Sequence, residues 1–444
     1  MMLAGFYEKE ITPGFGSHMP GGFELNRANG VKERLMVKGA AFELNDKRII
    51  VLSADALFIP QKTYDIAIKK IYEYTGITEK NILIQATHTH TGGPVKGNAN
   101  NEGQDDVYIN WLGDMVADCG IAAFHRMIPV MAKFAKCTVE GVTFIRNYVM
   151  KDGNIRTNPR PKDSDVIKPF GTPDTEFQTL YFINEQGSAI GSIMNFALHH
   201  CCVGGTEFCA DYSAVLAREL KLHFGMDYVN VMLSGTSGNL NHFDFFAVDR
   251  WRNDKKTPRY VQIGKILAEA ALRLFDEAQP MALNELAAEK VILQVKRRKV
   301  SDELLKEVNQ LTEEIPFEEI ADLGNISQTE TKAYLRSKAP VIIEMAQMPD
   351  TLPMCVQAIR LGECMLYGLS GEIYAEFGLD IKKKSPGKYS MIASLANAGT
   401  YCYVPTKESY NTTIYEAQLP SARLESETGY LMADKAIELA KKMY

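Results

Sequence analysis

Short apolar runs alternate with longer amphipathic ones along most of the chain. Residues 48–57 read as a buried strand followed by a helical pattern over 62–74. Residues 81–86 are followed in the same way by 107–127, and 229–233 by 260–278 after a polar loop. Strand-sized runs alternating with helix-sized ones predict α/β layering. Residues 175–183 and 188–198 flank Asn184-Glu185-Gln186-Gly187, which signals a β-hairpin. Residues 354–360 and 363–369 form a second such pair around Gly362. Antiparallel pairs among strand–helix units make the sheets mixed. The predicted class is α/β, mixed β-sheets with flanking helices, in one large domain over residues 1–444.

Residues 301–339 break the alternation. They are charged and helix-periodic at Leu304, Leu305, Val308 and Leu311, and Ser301-Asp302-Glu303-Leu304 resembles a helix start. The expectation is a helical insertion covering one flank, with Leu304 to Leu311 as packing surface. Further on, Ser370-Gly371-Glu372 is expected to open a helix running to about residue 383.

Composition narrows the class of function. Hydrophobic content of 46% and charged content of 23% suit a globular protein. With net charge −6 and only short basic pieces such as Lys296-Arg297-Arg298-Lys299, read as a solvated strand end, nucleic acid is not an expected partner. No run approaches the roughly 18 apolar residues of a spanning helix. The N-terminus meets Glu8 too early for a signal peptide, so a cytoplasmic protein is expected. Eight cysteines without a Cys-x-x-Cys pair read as reduced thiols.

The candidate chemistry begins at Ala86-Thr87-His88-Thr89-His90-Thr91-Gly92-Gly93-Pro94, where an apolar run ends in His-x-His. Residues i and i+2 of a strand share a face, so His88 and His90 are expected to project together from a strand end. Asn195-Phe196-Ala197-Leu198-His199-His200 repeats the pattern, and only one of its two histidines should join that side. Glu372 follows another apolar run. It is either a first-turn glutamate favoured by the helix dipole or the carboxylate of a His₂Glu zinc site. Asp211 reads as an N-cap before residues 214–223. The turn Gly235-Thr236-Ser237-Gly238-Asn239 offers backbone amides to an oxyanion, or is an ordinary tight turn. It matches neither a P-loop nor a Gly-x-Ser-x-Gly elbow.

Taken in order, these pieces resemble the neutral (non-lysosomal) ceramidase family in its N-terminal catalytic domain. The matching stretches are residues 5–22 with Ile11-Thr12-Pro13, then Ser53-Ala54-Asp55 and residues 86–94. Phe196-Ala197-Leu198-His199, residues 235–241, Ser370-Gly371-Glu372 and residues 397–416 complete the series. The resemblance spans nearly the whole chain and marks a distant member. It implies zinc held by His88, His199, Glu372 and Tyr403, with Tyr401 as the alternative because this segment is one residue longer than the usual pattern. It places His90 beside the metal without being a principal ligand, Tyr415 as a further active-site tyrosine, and Arg146 as a substrate-contacting arginine. His90 and Tyr415 are the candidates for proton transfer and oxyanion stabilisation.

Family members cleave the amide of an N-acyl sphingoid base, and three departures separate that substrate from this chain. The family's serine falls at Gly235 and its aspartate at Asn239. His200 replaces the proline after the second metal histidine. No counterpart of the C-terminal domain of secreted members is found within the 444 residues. The resemblance therefore implies zinc-dependent cleavage of an amide in a small-molecule or lipid-like substrate. The alternatives are an esterase or phosphoesterase on the same site, or a non-catalytic metal-binding scaffold.

Overall fold

The computed structural model describes residues 1–22, 25–97, 102–160, 162–246, 257–316 and 332–444. Three mixed sheets meet on one core. The first runs in the order Ile82–Ala86, Lys47–Ala54, Met36–Leu44, Leu3–Glu10, Ile128–Pro129. The second runs Val229–Ser234, Ala189–Phe196, Glu176–Ile183, Met131–Thr138, Gln279–Met281. The third runs Leu286–Lys296, Thr351–Leu361, Cys364–Leu369, Tyr389–Ala393. Both expected hairpins form, Glu176–Ile183 against Ala189–Phe196 and Thr351–Leu361 against Cys364–Leu369.

Each sheet also holds one parallel pair: Lys47–Ala54 with Ile82–Ala86, Ala189–Phe196 with Val229–Ser234, and Cys364–Leu369 with Tyr389–Ala393. These strands are buried on both faces, which is why their sequences read as continuous apolar runs. In Lys47–Ala54, Ile49 and Val51 enter the core shared with Phe182, Ile193, Leu233, Leu366 and Met391. The alternate residues Ile50, Leu52 and Ala54 pack with the outer helices Gln61–Thr75 and Asp106–His125. The second sheet is backed by Tyr212–Phe224 and Arg259–Glu277, the third by Ala375–Lys384 and Thr428–Lys441.

Buried polar groups tie the sheets together near the carboxyl ends of these parallel strands. Asn195 Nδ2 donates to the Leu233 and Ile392 carbonyls, and its Oδ1 accepts from Ile392 N–H. Ser53 Oγ donates to the Met232 carbonyl, while Asn397 and Ile84 bond in both directions. A polar group buried without such a partner costs about 1–3 kcal/mol, so these bonds fix how the strand ends face one another.

Several sequence expectations change. Glu372 opens no helix: it lies in the two-residue strand Glu372–Ile373, paired in parallel with Tyr403–Val404, and the helix begins at Ala375. Gly371 turns the chain with φ +87°, Glu372 N–H donates to the Cys402 carbonyl, and Asn239 Oδ1 accepts from Ala375 N–H at the helix start. Asp211 does accept from Tyr212 N–H, so its helix starts two residues earlier than expected. Ser301 caps Asp302–Glu314 by accepting from Leu304 N–H. Within the expected insertion, Val308 packs against Ala339 and Ile342 of helix Lys332–Gln347, and residues 317–331 lie outside the described residues.

The basic run is a solvated strand end only at its lysines: Lys296, which ends the strand Leu286–Lys296, and Lys299 are exposed. Arg297 is buried on the Pro349 carbonyl, and Arg298 braces the Ala417 and Ala422 carbonyls. All eight cysteines are free thiols. Among the described residues, no helix is long and apolar enough to cross a membrane.

Candidate metal centre

The strand Ile82–Ala86 stops before the first histidine, so shared strand facing does not bring His88 and His90 together. His88 adopts φ +74°, a left-handed conformation that a non-glycine residue holds only under constraint. The constraint is local: His88 N–H donates to the Ala56 carbonyl, and three threonine hydroxyls pin the loop. Thr87 Oγ1 donates to Asp55, while Thr89 and Thr91 both donate to the Cys209 carbonyl. Asp55 also accepts from Met36 N–H and is buried, which raises its pKa against the pull of Lys38. The two imidazoles finish 5.1 Å apart, edge to face.

His199 enters from the end of Ala189–Phe196. Its Nε2 lies 3.0 Å from His88 Nε2 and 3.1 Å from His90 Nε2. Glu372 arrives from beyond Cys364–Leu369, with Oε2 3.3 Å from His88 Nε2 and 4.0 Å from His199 Nε2. His200 turns away: its ring stacks on Tyr212 at 4.1 Å. Each of the three parallel strand pairs thus contributes from its carboxyl end, where open α/β sheets place their ligands.

The outer ring nitrogens set the chemistry of the inner ones. His88 Nδ1 donates to the Leu57 carbonyl at 2.7 Å, and His199 Nδ1 donates to the Ser237 carbonyl at 3.2 Å. The His90 ring bonds the Gly21 backbone. Burial, then the neighbouring His88, depresses His90 to about 3 and His199 well below the ordinary histidine range. With the Nδ1 atoms of His88 and His199 occupied by backbone carbonyls, their Nε2 atoms face one another. Glu372 adds an oxygen with no hydrogen-bond partner. Burial opposes its charge, yet His88, Tyr403 and Arg146 hold its pKa down to about 2. The His88 and His199 ring nitrogens, oriented through Nδ1 by backbone carbonyls, and the orphan Glu372 oxygen form a donor set that suits a cation, with His90 close beside them.

Tyrosines and one arginine wall the cluster. Tyr403 is the register partner of Glu372, and its hydroxyl is 3.3 Å from Tyr415 Oη. Tyr401 also borders Glu372, but its ring stacks on Phe58 at 4.3 Å. Burial raises the pKa of all three tyrosines. The Arg146 guanidinium stands 5.3 Å from the Tyr403 ring centre and 5.4 Å from that of Tyr415. It is held by Glu416, 2.7 Å from Nε, and by the Gly238 carbonyl. Every residue predicted for the site therefore falls in one neighbourhood.

At Gly235 an added Cβ would come within 2.9 Å of the Ala197 Cβ, so a serine there requires a shift. Thr236 Oγ1 is turned against Gly378, where an added Cβ would meet it at 2.0 Å. Ser237 is buried, with its carbonyl occupied by His199. Sequence reasoning missed Glu416 as the Arg146 anchor and Asn239 as the group receiving the Ala375 N–H. The available signals were the adjacency of Glu416 to Tyr415 and the position of Asn239 in the family motif.

No family profile and no curated protein sequence matches the chain. Several chains of solved structures match its fold, and two of them are ceramidases. One is the neutral ceramidase from Pseudomonas aeruginosa, with TM-score 0.73 and 16% identity, covering 99% of this chain and 74% of that one. The other is a ceramidase complexed with C2, with TM-score 0.74, 16% identity and the same coverages. What these alignments establish is a common architecture: this chain is similar in fold to bacterial neutral ceramidase along nearly its whole length.

Proposed function

We propose that this protein is a zinc-dependent hydrolase that cleaves the amide bond of an N-acyl amine with water as nucleophile. One observation carries the reading: His88, His199 and the orphan oxygen of Glu372 converge beneath a wall of tyrosines and arginine. The fold shared with neutral ceramidase supports it. His88, His199, Glu372 and Tyr403 are the residues that would hold zinc; neutral nitrogens with hard oxygens are within its ordinary ligand range. Tyr403 is preferred to Tyr401 because it is the register partner of Glu372 and its hydroxyl meets that of Tyr415. Zinc, when bound, supplies a Lewis acid and a water acidic enough to react near neutral pH.

The remaining steps belong to the chain. His90, whose Nε2 lies 3.1 Å from His199 Nε2, is the residue placed to take a proton as water attacks and to return it to the leaving amine. Tyr415, kept protonated by burial, donates to the developing oxyanion. Arg146 fixes both tyrosine rings and adds positive charge beside that oxygen.

The test joins metal analysis to a substrate panel. His88→Ala and Glu372→Ala are expected to lose bound zinc and all turnover, and His90→Asn to keep zinc and lose turnover. Full zinc in both ligand variants refutes the ligand set. Hydrolysis of carboxylic or phosphate esters without release of amine from any N-acyl amine refutes the amidase reading.

A further inference from the structure

A cavity of about 550 Å³ lies between strand Met36–Leu44 of the first sheet and helix Tyr212–Phe224, and none of the metal-cluster residues lines it. Its size falls within the roughly 300–1,000 Å³ of small-molecule pockets. On the helix side, Ala214, Ala217, Arg218, Lys221 and Leu222 recur at the three- and four-residue spacing of one helix face. The two alanines are short and leave the space; the longer side chains wall it.

Lys38 stands on the strand side. It lines the cavity and is only 5% exposed, yet among the described residues it makes no hydrogen bond and no ion pair. A lysine is almost never buried to this degree without a partner. Two carboxylates stand near it, and both are engaged elsewhere. Glu8, its register partner on strand Leu3–Glu10, is taken by Lys221. Asp55, within electrostatic range of Lys38 on the interior side, accepts from Met36 N–H and Thr87 Oγ1.

The remaining charges of the wall are paired. Glu33 lies 2.6 Å from Arg218, while Lys32 and Arg34 pair with Glu207 and Glu10 outside the lining. Those outer pairs are exposed, and exposed pairs are weak. The lining carries five basic side chains against two acidic ones, and the most buried of the five is the one without a counter-ion. Apolar surface borders the same opening: Leu222 and Met226 are each 71% exposed, with Val31 beside them in the lining. A desolvated ammonium bonds an ionised oxygen more strongly than a neutral one, and the apolar border suits a hydrocarbon.

We propose that this cavity binds an anionic amphiphile, whose carboxylate or phosphate head meets Lys38 while its apolar part lies against Leu222 and Met226. The site is separate from the metal centre and does not depend on the hydrolase reading.

Calorimetric titration of the purified protein with octanoate, octyl phosphate and uncharged 1-octanol tests it. At least one anion is expected to bind about tenfold or more tightly than the alcohol, and the better of the two identifies the head group. That preference is expected to vanish in Lys38→Met and to weaken in Arg34→Glu with Leu222→Glu. The latter pair changes only exposed side chains, so it decides the matter if Lys38→Met fails to fold. In His88→Ala the preference is expected to persist, which separates this site from the metal centre. No binding of either anion, equal binding of all three ligands, a preference that survives Lys38→Met or is unchanged in the exposed double variant, or one lost in His88→Ala overturns the proposal.

Discussion

Glu416→Gln probes the group that holds the catalytic wall in place. Glu416 is 0% exposed and Arg146 4%. One carboxylate oxygen accepts from Arg146 Nε at 2.7 Å, the other from Thr157 Oγ1 at 2.8 Å. Glutamine preserves the volume but leaves the buried Arg146 guanidinium charge uncompensated. Removing one partner of a buried ion pair costs about 3–5 kcal/mol. Unfolding entropy of about 2.1 cal/mol/K per residue over 444 residues gives about 0.9 kcal/mol/K, so the midpoint falls by about 3–5 °C. Scanning calorimetry measures it. Because Arg146 positions Tyr403 and Tyr415, amide turnover is expected to fall about 10- to 100-fold while bound metal is unchanged. A double-mutant cycle with Arg146→Met and Glu416→Leu should show about 2 kcal/mol or more of coupling. A midpoint within about 1 °C of wild type, or additive effects in the cycle, would refute the reasoning.

Two further predictions follow from the same geometry. Ser237→Ala is expected to retain turnover close to wild type, because water attacks directly; an acyl group trapped on Ser237 and detected by intact-protein mass spectrometry would exclude that route. Acid should destabilise the metal-stripped protein well above the carboxylate range. His90 and His242 are held at about 3, and His199 and His200 also lie well below 6.5, in each case chiefly by burial. The unfolded chain takes up these protons near pH 6.5 while the folded one does not. The stabilisation is therefore complete above pH 6.5 and declines as pH falls from there toward 3. A melting temperature that stays flat between pH 7 and 4.5 contradicts this.

Much of the fold was legible because burial on both faces writes itself into sequence as uninterrupted apolar runs. Strands such as Ile82–Ala86 and Val229–Ser234, and helices such as Arg259–Glu277, fall within a residue or two of their expected bounds. Glu372 was harder. A glutamate before a helix looks like a first-turn residue, and only the long-range pairing with Tyr403 turns it into a short strand facing the histidines. The basic run at 296–299 misled for a similar reason: its guanidinium partners are carbonyls far along the chain.

By itself the sequence determined the layered mixed α/β class and which histidines, glutamate and tyrosines to watch. The class, the histidine-ended strands and Glu372 follow from local periodicity and residue chemistry; the choice of His199 and the tyrosines follow from the family resemblance. Tertiary structure decided the rest. It brought three carboxyl strand ends to one point, set His88 in a left-handed conformation, and turned the inner nitrogens of His88 and His199 toward one another by occupying the outer ones with backbone carbonyls. Contacts between residues hundreds of positions apart leave no periodic trace in a chain, because they are fixed by how whole sheets pack and not by any segment's own pattern.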